Sequence, residues 1–107
     1  MDNLRMDGIY YYYAEDKDLY FAYKFRESGV LSFAFKSLNE EAVRKATTMP
    51  ARGSYLPKGK TRMKIAFSRD TTIYATVKDD DTLDIVISSE YGDDLNERRI
   101  YQFMVLD

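Results

Sequence analysis

A mainly β fold is predicted for this chain: a small antiparallel, up-and-down barrel of about eight strands, with one short helix between the third and fourth. Three observations predict it. Apolar and polar residues alternate with a period of two through most of the 107 residues, as they do in half-buried antiparallel strands. Clusters of Asp, Gly and Ser break the alternation at short intervals, and no linker or low-complexity stretch intervenes, so residues 1–107 read as a single domain. One stretch alone shifts to helical spacing. Eight strands close into a barrel just wide enough to be filled by side chains or to hold one small ligand.

The first strand runs from about Ile9 to Ala14 and contains Tyr10, Tyr11, Tyr12 and Tyr13, whose side chains alternate between two faces. AEDKD turns the chain. LYFAYKFR, 19–26, sets Leu19, Phe21, Tyr23 and Phe25 against Tyr20, Ala22, Lys24 and Arg26. ESG is a hairpin turn in which Gly29 supplies a positive φ. VLSFAFK, 30–36, sets Leu31, Phe33 and Phe35, expected inside, against Val30, Ser32, Ala34 and Lys36. SLNEEAVRKATTMP then opens with S-x-x-E, read as a capping box of Ser37 and Glu40. Leu38, Ala42, Ala46 and Met49 share one face of a helix placed at 38–49, its acids first and its Arg44 and Lys45 last, as the macrodipole favours, with Pro50 as the stop. GSYLP, 53–57, is a short strand. RMKIAFS, 62–68, turns Met63, Ile65 and Phe67 one way and Arg62, Lys64 and Ala66 the other. TTIYATVK, 71–78, offers Ile73, Ala75 and Val77 against Tyr74, Thr76 and Lys78. After a DDD turn, TLDIVIS, 82–88, presents Leu83, Ile85 and Ile87; a polar loop follows at 89–97, and RIYQFMVL, 99–106, ends with Tyr101, Phe103 and Val105 as the inner set.

Composition excludes several chemistries. With no Cys and no His, the chain has no thiolate, no zinc–cysteine site, no Ser-His-Asp or Cys-His arrangement and none of the commonest general base. Carboxylates cluster in turns. PKGKT, 57–61, is too short for a phosphate-binding loop, and the acidic runs Asp79, Asp80, Asp81, Asp84 and Glu90, Asp93, Asp94, Glu97 lack the spacing of a calcium loop and read as turns. The expectation is a protein that is not an enzyme and uses no cofactor or metal. No apolar leader and no run of about 20 apolar residues is visible, so neither export nor a membrane is expected and a cytoplasmic location is. A net charge of −2 disfavours bulk attraction to nucleic acid.

Several stretches together carry a family resemblance: Gly8-Ile9-Tyr10 on the first strand, the aromatic–basic hairpin YKFRESGVLSF, the helix, then GSY, KIAFS, TLDIVI and YQFMVL. In this order the chain resembles short, mostly uncharacterised bacterial proteins of calycin-like, or lipocalin-like, type, from Gly8 to Leu106. Lipocalins and fatty-acid-binding proteins carry G-x-W on their first strand, with the aromatic ring at the barrel base. The resemblance implies that Tyr10 takes that place, with Tyr12 also inside, and that Tyr11 and Tyr13 lie outside, under the helix or at a dimer interface.

Three groups of residues are candidate sites. Between Ala42 and Arg69 every charged residue is basic: Arg44, Lys45, Arg52, Lys58, Lys60, Arg62, Lys64 and Arg69. Of these, Lys58, Lys60, Arg62 and Lys64 are a candidate positive partner-binding face, against the alternative of a plain solvated strand surface, which is the usual meaning of a charge run. Tyr11, Tyr13, Tyr20 and Tyr74 are a candidate aromatic interface, since tyrosine buries large area with a polar tip. The expected barrel interior is Tyr10, Tyr12, Phe21, Tyr23, Phe33, Phe35, Ile65, Phe67, Ile85 and Phe103, either filled by these rings or open to one small apolar ligand. The function expected is a non-catalytic protein-interaction module, an adaptor, inhibitor or immunity-type protein, whose partner is another protein of acidic character or a second copy of the chain. The alternative is a small hydrophobic-ligand-binding barrel of lipocalin-like type.

Overall fold

The computed structural model describes residues 3–67, 71–89 and 97–106. Eight strands, β1 (Gly8–Ala14), β2 (Leu19–Arg26), β3 (Gly29–Phe35), β4 (Ser54–Pro57), β5 (Arg62–Ala66), β6 (Thr71–Val77), β7 (Thr82–Ser89) and β8 (Glu97–Val105), join one helix, α1 (Glu40–Ala46), between β3 and β4. All pairings are antiparallel, and the sheet order is β3-β2-β1-β8-β7-β6-β5-β4. The sheet curls into a nearly closed barrel. Its two edges meet at one bridge, where the Val30 N–H donates to the Gly53 carbonyl at 3.0 Å and the Gly53 N–H donates back at 2.9 Å. Among the described residues no helix is long and apolar enough to cross a membrane.

The core inside the barrel holds Tyr10, Tyr23, Phe25, Val30, Met63, Ile65, Ala75, Val77, Leu83, Ile85 and Tyr101, with Tyr12, Phe21, Phe67 and Phe103 packed against it. Tyr10 and Tyr12 therefore face inward. The two G-x-Y stretches have one shared role. Gly8 and Gly53 allow close approach: a Cβ on Gly8 would lie 2.0 Å from the Met104 carbonyl oxygen, and one on Gly53 would lie 2.5 Å from the Phe67 ring. Two residues on, Tyr10 and Tyr55 meet the Phe25 ring edge-on, at 5.9 and 5.4 Å between centroids. Each hydroxyl finds backbone at a strand end: the Arg5 N–H donates to Tyr10 Oη, and Tyr55 Oη donates to the Arg26 carbonyl.

Three expectations are corrected. Phe33 and Phe35 lie outside the barrel, not inside. The two-residue turn Glu27-Ser28 pairs Arg26 with Gly29 and Phe25 with Val30, so cross-strand partners put Val30, Ser32 and Ala34 on the inner face with Phe25, Tyr23 and Phe21. Leu31, Phe33 and Phe35 then share the outer face. The helix is shorter than 38–49, and Asn39 caps it rather than Ser37, its side-chain oxygen accepting from the Ala42 N–H at 3.2 Å. Asn39 stands directly before the two acids of the first turn, the cap position those acids favour, whereas Ser37 lies two residues too early. Over two turns, Val43 is the buried helix residue; Ala42 and Met49 are exposed. Val105, expected inside, is exposed at the barrel rim opposite Gly8.

The outer side of β1 to β3 has its own small core, in which Val43 of α1 joins Ile9 and Ala22, with Tyr11, Phe35, Leu38 and Met104 around them. Ile9 and Ala22 on the outer face of β1 and β2 are thus apolar because the helix covers them.

Candidate functional site

The alternation of β5 turns Met63 and Ile65 into the core and leaves Arg62 and Lys64 exposed outside. Lys58 and Lys60 are exposed in the turn before β5. Cross-strand register sets Lys64 beside Leu56 on β4 and Tyr74 on β6, and Arg62 beside Thr76. Leu56 and Tyr74 are 57% and 50% exposed, so this outer surface mixes four cations with two apolar groups open to solvent. A groove of about 370 Å³ lies on it, lined by Lys58, Arg62, Tyr74 and Thr76 among others. Among the described residues none of the four cations makes an ion pair. The acids nearby are engaged elsewhere: Arg98 donates to both oxygens of Asp84 at 3.0 and 2.6 Å, Asp81 pairs with Arg5, and Asp80 accepts from Thr82. Of the other basic residues in the segment, Arg44 pairs with Glu40, Lys45 and Arg52 are exposed, and Arg69 lies outside the described residues.

The tyrosines divide. Tyr11, Tyr13 and Tyr20 come together on the outer face of β1 and β2, with ring centroids 4.8 Å apart for Tyr13–Tyr20 and 6.4 Å for Tyr11–Tyr20. Phe35 extends the row as the cross-strand partner of Tyr20. Tyr13 Oη donates to Asp18 at 2.6 Å, and this bond to the carboxylate, ahead of burial, raises its pKa. Tyr74 belongs to the basic face instead, three strands along the sheet from β1. The turn acids Asp79, Asp80, Asp81 and Asp84 do not converge: among the described residues no group of three or more metal-ligating side chains forms. Glu90, Asp93 and Asp94 lie outside the described residues.

A third site has a different origin. Through the Val30–Gly53 bridge, the rest of β4 runs past the β2–β3 turn, and the rest of β3 has no strand opposite it among the described residues. Ser32 and Ala34 face inward and are nonetheless exposed. Behind them lies a half-open cavity of about 360 Å³, lined by Phe21, Tyr23, Ser32, Ala34, Arg99 and Tyr101 among others, Phe33 included. Arg99 is an inner-face residue of β8, opposite Ile85, and its side chain is only 11% exposed. Its guanidinium lies 5.0 Å from the Phe21 centroid and 5.3 Å from that of Tyr12, and two of its nitrogens donate to Glu97 Oε1 at 3.0 and 2.9 Å. Burial works against this charge, yet Tyr101 and Glu97 outweigh it and raise the Arg99 pKa. Burial likewise pushes the Tyr23 and Tyr101 phenols up. No lining group thus has its pKa brought toward neutrality, and what the cavity offers is hydrogen-bond donors and aromatic surface.

Sequence reading missed this cavity and Arg99. Arg99 adjoins Arg98 in a charged run and reads as surface; the available signal was its place two residues before the inward Tyr101. Compared with known protein families, curated proteins and solved structures, the chain matches none.

Proposed function

We propose that this chain is a non-catalytic interaction module that docks an acidic protein on the outer face of β4–β6. The observation that carries the reading is the row of cations, Lys58, Lys60, Arg62 and Lys64, unpaired among the described residues and set around the exposed Tyr74 and Leu56. Exposed cations steer an acidic partner in, and a tyrosine and a leucine beside them supply the apolar area that charge alone lacks. The barrel beneath, compatible with a calycin-like architecture, is a rigid platform for such a face.

Fluorescence anisotropy with a labelled acidic peptide tests it, with a labelled single-stranded oligonucleotide as a second arm. The peptide is expected to bind wild type, to weaken steeply as salt shortens the screening length to about 8 Å and below, and to be lost with Arg62→Glu and Lys64→Glu together. Equal binding of the peptide to wild type and to the folded double variant would remove the reading. Tighter binding of the oligonucleotide would replace it with a nucleic-acid surface.

A second reading, capture of a small apolar ligand, is favoured by the cavity beside β3 rather than by the barrel axis, which Tyr10, Phe25, Met63, Ile65 and Tyr101 occupy.

A further inference from the structure

The two edges of this sheet are built differently. The β4 edge contains Pro57, which has no N–H to offer, and Lys58 follows it. The β3 edge has no proline: Ser32, Phe33, Ala34 and Phe35 are uncharged, and the first charge, Lys36, stands just past the last of them. In an antiparallel ladder alternate residues turn their N–H and C=O to opposite sides. Val30 turns its pair away from β2, toward Gly53. Ser32 and Ala34 follow it at intervals of two, so they present the same groups to the open side. Among the described residues neither makes a backbone hydrogen bond there. The aromatic cavity of the barrel flank opens directly behind them.

We infer that the β3 edge accepts an extended strand from a partner protein, whose main chain pairs with Ser32 and Ala34 and whose inward aromatic side chain enters the flank cavity. Strand addition needs free edge groups for affinity and a cavity for alternate side chains for specificity, and both stand side by side here. The cavity decides the occupant. A second copy pairing through its own β3 would bring Ser32 and Ala34 inward, residues too small to fill about 360 Å³. An aromatic ring fills it better and meets Phe21, Tyr23 and Tyr101 with the edge and face contacts that rings favour. A short strand with one seated ring buries less than a standard interface, so the affinity is expected to be on the order of micromolar or weaker. This site is independent of the basic face.

The probe is a short fluorescein-labelled peptide of alternating threonine and valine with one central phenylalanine and glutamate at each end. Two controls accompany it: the same peptide with central glycine, and the same peptide N-methylated at the amides that would pair with β3. Wild type is expected to bind the phenylalanine peptide roughly tenfold or more tightly than either control. Ala34→Pro removes an N–H that β2 does not use, and is expected to weaken binding by a similar factor while circular dichroism and the melting temperature stay near wild type. Arg62→Glu with Lys64→Glu is expected to leave it unchanged, which separates this site from the acidic-partner face. The N-methylated peptide acts on the wild-type protein, so the test holds even where the proline variant does not fold. Equal binding of the three peptides, or no binding of the phenylalanine peptide at millimolar concentration, overturns the inference. So does a stable dimer in sedimentation that Ala34→Pro dissociates, since the edge would then be taken by a second copy.

Discussion

The outer faces of β1–β3 and of β4–β6 belong to one sheet and follow one alternation, yet they differ in almost every respect. The first is aromatic and roofed by α1, with Val43 pressed onto Ile9 and Ala22. The second is bare and basic, with Arg62, Lys64 and Tyr74 in solvent. Alternation alone marks two faces of a strand; only the polarity contrast between them says which is inside. On β5 the contrast is sharp and the inner residues are unambiguous. On β3 it is inverted: the apolar core outside takes Phe35, the Phe33 ring packs beside Phe35, and Ser32 and Ala34 are left within.

The largest expected effect sharpens this contrast. Phe25 is fully buried between Tyr10 and Tyr55, and Phe25→Ala should cost about 3–5 kcal/mol in urea melts. Phe33→Ala, on the half-buried outer face, should cost about 1–2 kcal/mol. Equal losses would mean that the outer ring is held as tightly as the inner one. Next in size is the roof. Val43→Ala removes two methylene equivalents from the contact of α1 with the sheet and should cost about 2 kcal/mol. Hydrogen exchange should then show faster opening of Glu40–Ala46 while β5 and β6 stay protected; slower exchange on α1, or equal acceleration throughout, would show that helix and barrel open as one unit.

The smallest effect is electrostatic and lies beyond the basic face. Arg98 holds the Asp84 carboxyl below its usual range through paired hydrogen bonds. A depressed folded-state pKa gives stability that is present above the unfolded value of about 3.9 and lost as pH falls through the folded one. Asp84→Asn should therefore lower the melting temperature slightly at pH 7 and make no difference in strong acid. A difference that grows on acidification would contradict the pairing.

Strand order, the place of the helix and the inward faces of β5, β6 and β7 were legible because turns and polarity contrast mark them locally. The outward placement of Arg62 and Lys64 was legible for the same reason, and so was the inward pair Tyr10 and Tyr12 once the first strand was set against a known pattern. The cavity was not. It arises from the stagger of β4 against β3, a tertiary offset with no local signature, and its one charged wall, Arg99, is inward only because Tyr101 and Ile85 fix the register. The helix cap was misplaced for a subtler reason: Ser37 and Asn39 are both good capping residues, and the two acids that directly follow Asn39 favour it.

The pairing of β1 with β8 joins Gly8 to Val105, and the Leu106 N–H reaches the Asp7 carbonyl at 2.9 Å. Every other ladder links strands consecutive in sequence, most of them through short turns. The molecule is thus two local meanders, β1–β3 and β4–β8, joined by the short Val30–Gly53 bridge and by one longer zipper that closes nearly the whole chain into a loop. Loop-closure entropy grows only slowly with length, so the zipper adds little to the thermodynamic cost of the fold. It weighs far more on the kinetics, because contacts between distant residues must form before they are rewarded. The meanders are therefore expected to form on the timescale of hairpins, with the union of β1 and β8 as the slower step in refolding measured by stopped flow.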